Sequence, residues 1–373
     1  MSFNISDIKM VDLSAEHLDF QDTLQNTILT SLNDGRYING PEVSTFSDKL
    51  SSFLGIAHTI PCANGTDALT IALKSLQLQP GDEVLVPSFN YVAAAESIAL
   101  LGLKPVFTDV DYTSFNALKT QFEAKKTPQT KALIAVHLFG QSSDMQNIVK
   151  WAKENNIFVI EDVAQSLGAT HRQQFCGTFG DIGITSFFPT KNLGGLGDGG
   201  AIFTNNETLA LHCKQIASHG QSRKYYFDQI GMNSRLDTLQ AAALLIKIQW
   251  LNDRLDKRRA NGAYYQEHLS NNYIKLPETL PDNVHTFNQY TLKVQDGLRD
   301  VFSDYLKKHN IPSVIYYPVP LHLQKAYNHF ISPQDSFPVS EQLCSEVVSI
   351  PIHPMLQKEE LNYICEIIHQ FKP

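Results

Sequence analysis

A chain of 373 residues, 43% hydrophobic and 18% charged, is long enough for a well-filled core and two domains, with the composition of a soluble globular protein. Its 38 acidic against 30 basic residues give a formal charge of −8, which argues against a nucleic-acid or anionic-membrane footprint, so an anionic ligand must be held by local geometry. Five scattered cysteines without a CxxC pair argue against a disulfide framework and a zinc site; no leader is visible in MSFNISDIKMVDLSAEHLDF, and YVAAAESIALLGL is broken by Glu96 and too short to span a bilayer, so a cytoplasmic protein is expected.

In chain order, AHTIPCA reads as a strand and TDALTIALKSL as a helix. EVLVPSF is a strand, YVAAAESIALLG a helix and KPVFTDV a strand; ALIAVHLFG, the helix SDMQNIVKWAKENN and the strand IFVIEDVA follow. The strand runs are nearly continuous in apolar residues, the pattern of strands covered on both faces in a mostly parallel sheet. DIGITSFF and GAIFTN are two further strands around a glycine-rich segment, and a long helical pattern runs from Arg235 to His268. TFNQYTLKV, the helix VFSDYLKKHN and IPSVIYYP then predict a smaller α+β domain, closed by a helix ending near Phe371. The expected class is α/β: a large domain over 1–250 with a mostly parallel mixed sheet, and a small C-terminal domain over 251–373.

Four motifs fall at strand ends, where open parallel sheets bind ligands. NGTDAL places Gly65 and Thr66 at a helix start, where free N–H groups and the helix dipole suit a phosphate; a plain N-cap is the bland alternative. VIEDVAQS offers Asp162 as a carboxylate that keeps a ring nitrogen protonated and Gln165 as a donor to a ring oxygen, or else a helix cap. Strand alternation sends Glu161 to the other face. FNYVAAAE offers Phe89 or Tyr91 for stacking, either of which could be core. SFFPTKNLGGLGDGG sets Lys191 in a turn after Ser186, and its glycines are expected to relax backbone limits and leave room for a flat ligand; alone, it is a hairpin loop with a solvated lysine. A phosphate binder, a ring carboxylate, a stacking aromatic and a buried lysine together meet the needs of pyridoxal 5′-phosphate.

With these motifs the chain resembles the nucleotide-sugar aminotransferases of the DegT/StrS family over nearly its whole length. The matching segments are GRYINGPEV, NGTDAL, VPSFNYVAAAE, AVHLFGQ, VIEDVAQSLGA, TSFFPTKNLGGLGDGGAIFTN, MNSRLDTLQAA and YYPVPLHLQKAY. The resemblance implies the type I aminotransferase fold, with Lys191 carrying the cofactor covalently, Asp162 on the pyridine nitrogen and Gln165 on the ring hydroxyl. It further implies Gly65, Thr66 and Ser186 as phosphate ligands, Tyr91 as the stacking ring, and Asn233 reaching the phosphate of the neighbouring subunit in a homodimer with shared sites. Tyr316, Tyr317 and His322 fall where the family contacts the sugar nucleotide; Arg235, at a helix start, stands between a structural ion pair and a substrate role. His137 and His353 are read as packed structural histidines. Members with histidine at the Lys191 position act as sugar dehydratases, so lysine here favours transamination over a dehydratase, a lyase or a non-catalytic cofactor-binding regulator. The implied reaction takes a UDP- or dTDP-linked keto-sugar, aminated at C3, with L-glutamate as donor, and supplies surface polysaccharide such as O-antigen.

Overall fold

The computed structural model describes residues 8–373; the first seven residues of the segment read as free of a leader lie outside it. Five strands of the first half appear where the apolar runs predict them: β1 (His58–Cys62), β2 (Glu83–Pro87), β3 (Lys104–Thr108), β4 (Thr130–Val136) and β5 (Phe158–Asp162). Two-residue strands β6 (Thr170–His171) and β7 (Gln174–Phe175) follow, then β8 (Ile182–Ser186) and β9 (Gly200–Thr204). A short pair, β10 (Gln221–Arg223) and β11 (Tyr226–Phe227), precedes β12 (Ile274–Lys275), β13 (Asn283–Val284), β14 (Tyr290–Val294) and β15 (Val347–Ile350).

The main sheet has the order β1-β9-β8-β5-β4-β2-β3. Only β9 runs antiparallel to its neighbours, pairing Gly200 with Cys62 on one side and with Ser186 on the other. The other six strands therefore end at one edge, and β9 begins there. Val84, Leu85, Val86, Leu133, Ile134 and Ile160 are fully enclosed, each contributing about 1.5–3 kcal/mol of apolar transfer. Connecting helices cover the sheet; the helix Gly65–Ser75 buries Ala68, Leu69, Ile71, Ala72 and Leu73 on it.

A second core surrounds the three-stranded sheet β12-β14-β15 and the closing helix Lys358–Gln370. The helical pattern after Arg235 is not one rod. It begins at Thr238, three residues after Arg235, and a 3₁₀ turn at Ile248–Trp250 separates Thr238–Lys247 from Leu251–His268. Leu251 and Leu255 of the second helix pack in the core against Phe46, Phe187 and Leu236, whereas Tyr265 packs with the C-terminal sheet. In IPSVIYYP only Val314 is paired, bridging Ser349 on the edge of β15 away from β14. Among the described residues no helix is long and apolar enough to cross a membrane.

Candidate active site

The shared edge of the sheet gathers the segments singled out in the sequence. Asn64–Thr66 follow β1, Ser88–Tyr91 follow β2, His137–Gly140 follow β4, Asp162–Gln165 follow β5, and Ser186–Lys191 follow β8. Strand order joins the first and last of these, since β9 lies between β1 and β8 and its glycine brings them together. A Cβ on Gly200 would stand 2.5 Å from the Asn64 carbonyl, and one on Gly65 would stand 2.8 Å from the Ser186 Cβ. Asn64 caps the helix by accepting from the Asp67 N–H at 2.8 Å, a contact worth about 1 kcal/mol. The N–H groups of Gly65 and Thr66, ahead of the first intrahelical bond from Ala68 to Asn64, remain available beside the Ser186 hydroxyl. Ser186 Oγ itself accepts from the Phe188 N–H at 3.2 Å.

The glycine-rich segment serves a different purpose from the one expected. None of Gly194, Gly195, Gly197, Gly199 and Gly200 adopts a left-handed conformation. Their missing side chains are filled by neighbours instead: a Cβ on Gly194 would meet the Pro189 carbonyl at 2.1 Å, and Gly195 and Gly197 lie against the Gln240 amide, whose Oε1 accepts from the Leu196 N–H at 2.8 Å. The glycines pack the loop down rather than leave space above it.

Two adjacent carboxylates divide by face, as period-two alternation requires. Glu161 is enclosed on the far side, where Oε2 accepts from the Gly177 N–H (2.9 Å) and Oε1 from those of Phe179 (2.6 Å) and Gly180 (2.7 Å). His137 Nδ1 accepts from the Ser143 N–H at 3.0 Å, so its proton sits on Nε2 and is donated to Glu161 at 2.9 Å. Asp162 faces the site. Its Oδ1 accepts from the Ala164 N–H at 2.9 Å, and Oδ2 receives no hydrogen bond among the described residues. Burial raises the Asp162 pKa; the Ala164 N–H and the charge of Lys191 oppose that rise only in part. Among the described residues the carboxylate forms no direct ion pair, and Lys191 acts on it only through its nearby charge.

Lys191 sits in a turn closed by its own N–H on the Phe188 carbonyl at 2.8 Å. Burial lowers its pKa, against the pull of Asp162. The neighbouring Asn192 donates to the Leu167 carbonyl at 3.0 Å and ties this turn to the one after β5. Gln165 is buried with its amide held at both ends: Oε1 accepts from the Phe139 N–H at 2.9 Å, and Nε2 donates to the Tyr317 hydroxyl at 3.1 Å. Burial raises the Tyr317 pKa. Of the two aromatic candidates, Phe89 is core, stacked on Phe115 and edge-on to Phe139 and Tyr317; Tyr91 is 56% exposed, its ring 6.2 Å from that of Tyr317. Sequence reading missed the backbone N–H of Phe139, which carries no side-chain signal, and Gln240, which lies 44 residues from the loop it holds.

The peripheral candidates differ in setting. Asn233 is exposed, its strand bridging Ser218, and the adjacent Ser234 hydroxyl accepts from the Ala63 N–H at 3.1 Å, which links this segment to β1. Arg235 has no ion-pair partner among the described residues and lines an open groove with Asn39, Ser44 and Lys214. Tyr316 is half-buried beside Tyr317. His322 is enclosed, with Nδ1 2.7 Å from Ser88 Oγ and Nε2 3.3 Å from Glu341, so both ring nitrogens are engaged within the chain. His353, by contrast, is buried, and neither ring nitrogen has a side-chain hydrogen-bond partner among the described residues.

A buried carboxylate with an oxygen to spare, a partly buried amine held toward its neutral form, and N–H groups unpaired among the described residues beside a hydroxyl fit the pyridinium, aldehyde and phosphate of pyridoxal phosphate in turn. Comparison with known proteins agrees. A family model described as the DegT/DnrJ/EryC1/StrS aminotransferase family matches residues 19–369. The chain is 41% identical over 358 residues to a UDP-2-acetamido-2-deoxy-3-oxo-D-glucuronate aminotransferase of Pseudomonas aeruginosa, covering 96% of this chain and 98% of that one. It is 42% identical over 364 residues to a dTDP-3-amino-3,6-dideoxy-alpha-D-galactopyranose transaminase of Aneurinibacillus thermoaerophilus, covering 98% and 99%. The crystal structure of NtdA from Bacillus subtilis with bound cofactor PMP superposes with a TM-score of 0.91 at 31% identity, covering 98% of this chain and 85% of that one. The partly buried lysine and buried carboxylate at the end of the parallel strands are thus found on the expected type I architecture, and the chain belongs to the DegT/DnrJ/EryC1/StrS family of pyridoxal phosphate-dependent aminotransferases.

Proposed function

We propose that this aminotransferase converts a UDP- or dTDP-linked 3-keto-sugar to the 3-amino sugar, with L-glutamate as donor, for surface polysaccharide such as O-antigen. The observation that carries the reading is the pairing of partly buried Lys191 with buried Asp162, the two electrostatically coupled at one sheet edge. When bound, pyridoxal phosphate supplies an aldehyde that takes up the amino group and a ring that withdraws electrons from it. Lys191 would hold the cofactor, and its amine would move the proton at the donor α-carbon as general base and acid. Burial suits it to this work, because the neutral amine is the form that both attacks and accepts a proton. Asp162 keeps the ring nitrogen protonated, Gln165 meets the ring hydroxyl, and Gly65, Thr66 and Ser186 receive the phosphate. Tyr91 covers the ring face.

Tyr316, Tyr317 and His322 are assigned to the nucleotide-sugar side of the site, His322 through the Ser88 loop that its ring holds. Arg235, without an ion-pair partner among the described residues, is suited to a sugar carboxylate, which makes a 2-acetamido-3-keto uronate the favoured substrate. We further propose a cytoplasmic homodimer in which Asn233 reaches the partner's phosphate. Its support is the exposed apolar surface near that residue, with Tyr225 76%, Phe227 60% and Ile230 82% accessible. The proposed division at residue 250 is supported by the second core, most of which lies beyond it, whereas Leu251 and Leu255, and also Leu321, Tyr327 and Phe337, pack into cores built mainly by the first part.

Borohydride reduction of the cofactor-loaded protein followed by peptide mapping tests the central assignment: the label is expected on Lys191, and a label elsewhere or none overturns it. Incubation with glutamate and a UDP-linked 3-keto uronate is expected to give the amine at C3 by mass and NMR.

A further inference from the structure

The amide of Gln165 is held by a turn that is itself held by a residue far from the site. In the turn Leu138–Gln141, Phe139 has φ +60° and Gly140 φ +112°. This left-handed pair directs the Phe139 N–H to Gln165 Oε1 at 2.9 Å. A left-handed backbone conformation at a bulky residue such as Phe139 is costly, by about 1–3 kcal/mol, and persists only where surroundings fix it. Two sets of contacts fix it here. On one side, Thr286 N–H donates to the Gly140 carbonyl at 2.9 Å and Gln289 N–H to the Phe139 carbonyl at 3.3 Å. On the other, a single side chain brackets the turn: Asn116, 1% exposed, accepts from the Leu138 N–H through Oδ1 and donates to the Gln141 carbonyl through Nδ2, both at 2.9 Å.

We infer that Asn116 is a positioning residue for Gln165, setting which end of that amide faces the cofactor by fixing the left-handed turn whose N–H binds Gln165 Oε1. The inference rests on the reading of Gln165 as the ring-hydroxyl contact. Among the described residues Asn116 makes no hydrogen bond to Gln165; the two that its amide makes, one at each end, both go to the turn. With Oε1 pinned to an N–H, the Gln165 NH₂ is the end left to donate, first to Tyr317 and then into the site. Without Asn116 the turn can relax, the Phe139 N–H is no longer aimed, and the amide can flip to present an acceptor where a donor is needed.

A double-mutant cycle on the full-length protein tests this, with pyridoxal phosphate titrated into the cofactor-free form and both apparent Kd and the absorption band of the bound cofactor recorded. Asn116→Ala is expected to raise Kd about tenfold and to shift the band in the wild-type background, but to change Kd less than about twofold when Gln165 is already alanine. Equal losses in both backgrounds overturn the inference, since Asn116 would then be acting on general stability. If Gln165→Ala alone changes neither Kd nor the band, the assignment of Gln165 to the ring fails and the inference falls with it. Should Asn116→Ala not fold, Asn116→Asp keeps the volume and the Leu138 acceptor while removing the Gln141 donor, and the same cycle with it decides by the same outcomes.

Discussion

Glu161 and Asp162 are neighbours of like chemistry whose fates are set by which face of β5 each side chain leaves. Glu161 accepts three backbone N–H groups and the His137 proton and serves as an anchor for the loop 177–180. Asp162 has one such bond and an oxygen to spare. Neutral substitutions should therefore separate structure from chemistry. Glu161→Gln must turn an NH₂ toward a donor and is expected to cost about 2–3 kcal/mol in urea unfolding, with a much smaller effect on kcat. Asp162→Asn is expected to lower kcat roughly 10²–10³-fold at nearly unchanged stability, since burial already disfavours the charged carboxylate by more than the Lys191 charge offsets. Lys191→Ala is expected to abolish transamination without lowering the melting temperature, because a desolvated amine is removed; turnover by that variant at the wild-type rate would refute the assignment.

At the level of elements, the decisive feature is the insertion of antiparallel β9 between β1 and β8. It sets Gly200 in register with both Cys62 and Ser186, so the helix start at Gly65 and the end of β8 share one small space. Two glycines of the same loop should then respond differently to alanine. Gly200→Ala drives a methyl group into the Asn64 backbone at 2.5 Å and is expected to cost about 1–3 kcal/mol and to weaken phosphate binding. Gly197→Ala meets only the end of the Gln240 side chain, which can swing aside, and is expected to cost far less. Urea midpoints and cofactor titrations of the pair measure the contrast.

Across the whole molecule, two buried histidines tie stability to pH. Burial lowers the pKa of His285 to about 3 and that of His353 to about 4, the latter helped by Arg258. Both lie well below the unfolded value near 6.5, so the unfolded chain binds the extra protons: stability is fully present above pH 6.5 and is lost as pH falls through about 4 and then about 3. Each contributes a slope of up to about 1.4 kcal/mol per pH unit, and His353→Gln should flatten the decline of the urea midpoint between pH 6.5 and 4. Much of the site was legible in the chain itself, because the rules that reveal it are local. Apolar runs mark buried strands, alternation separates Glu161 from Asp162, an Asn-Gly-Thr step opens a helix, and a proline before Lys191 forces a turn. What sequence could not supply is which distant segments face each other. That Gly65 opposes Ser186, that Phe139 lends its N–H to Gln165, that the glycines are packed rather than open, and that Arg235 has no ion-pair partner among the described residues all follow from strand order and loop packing, where contacts are made by residues tens to hundreds of positions apart and leave no local pattern to read.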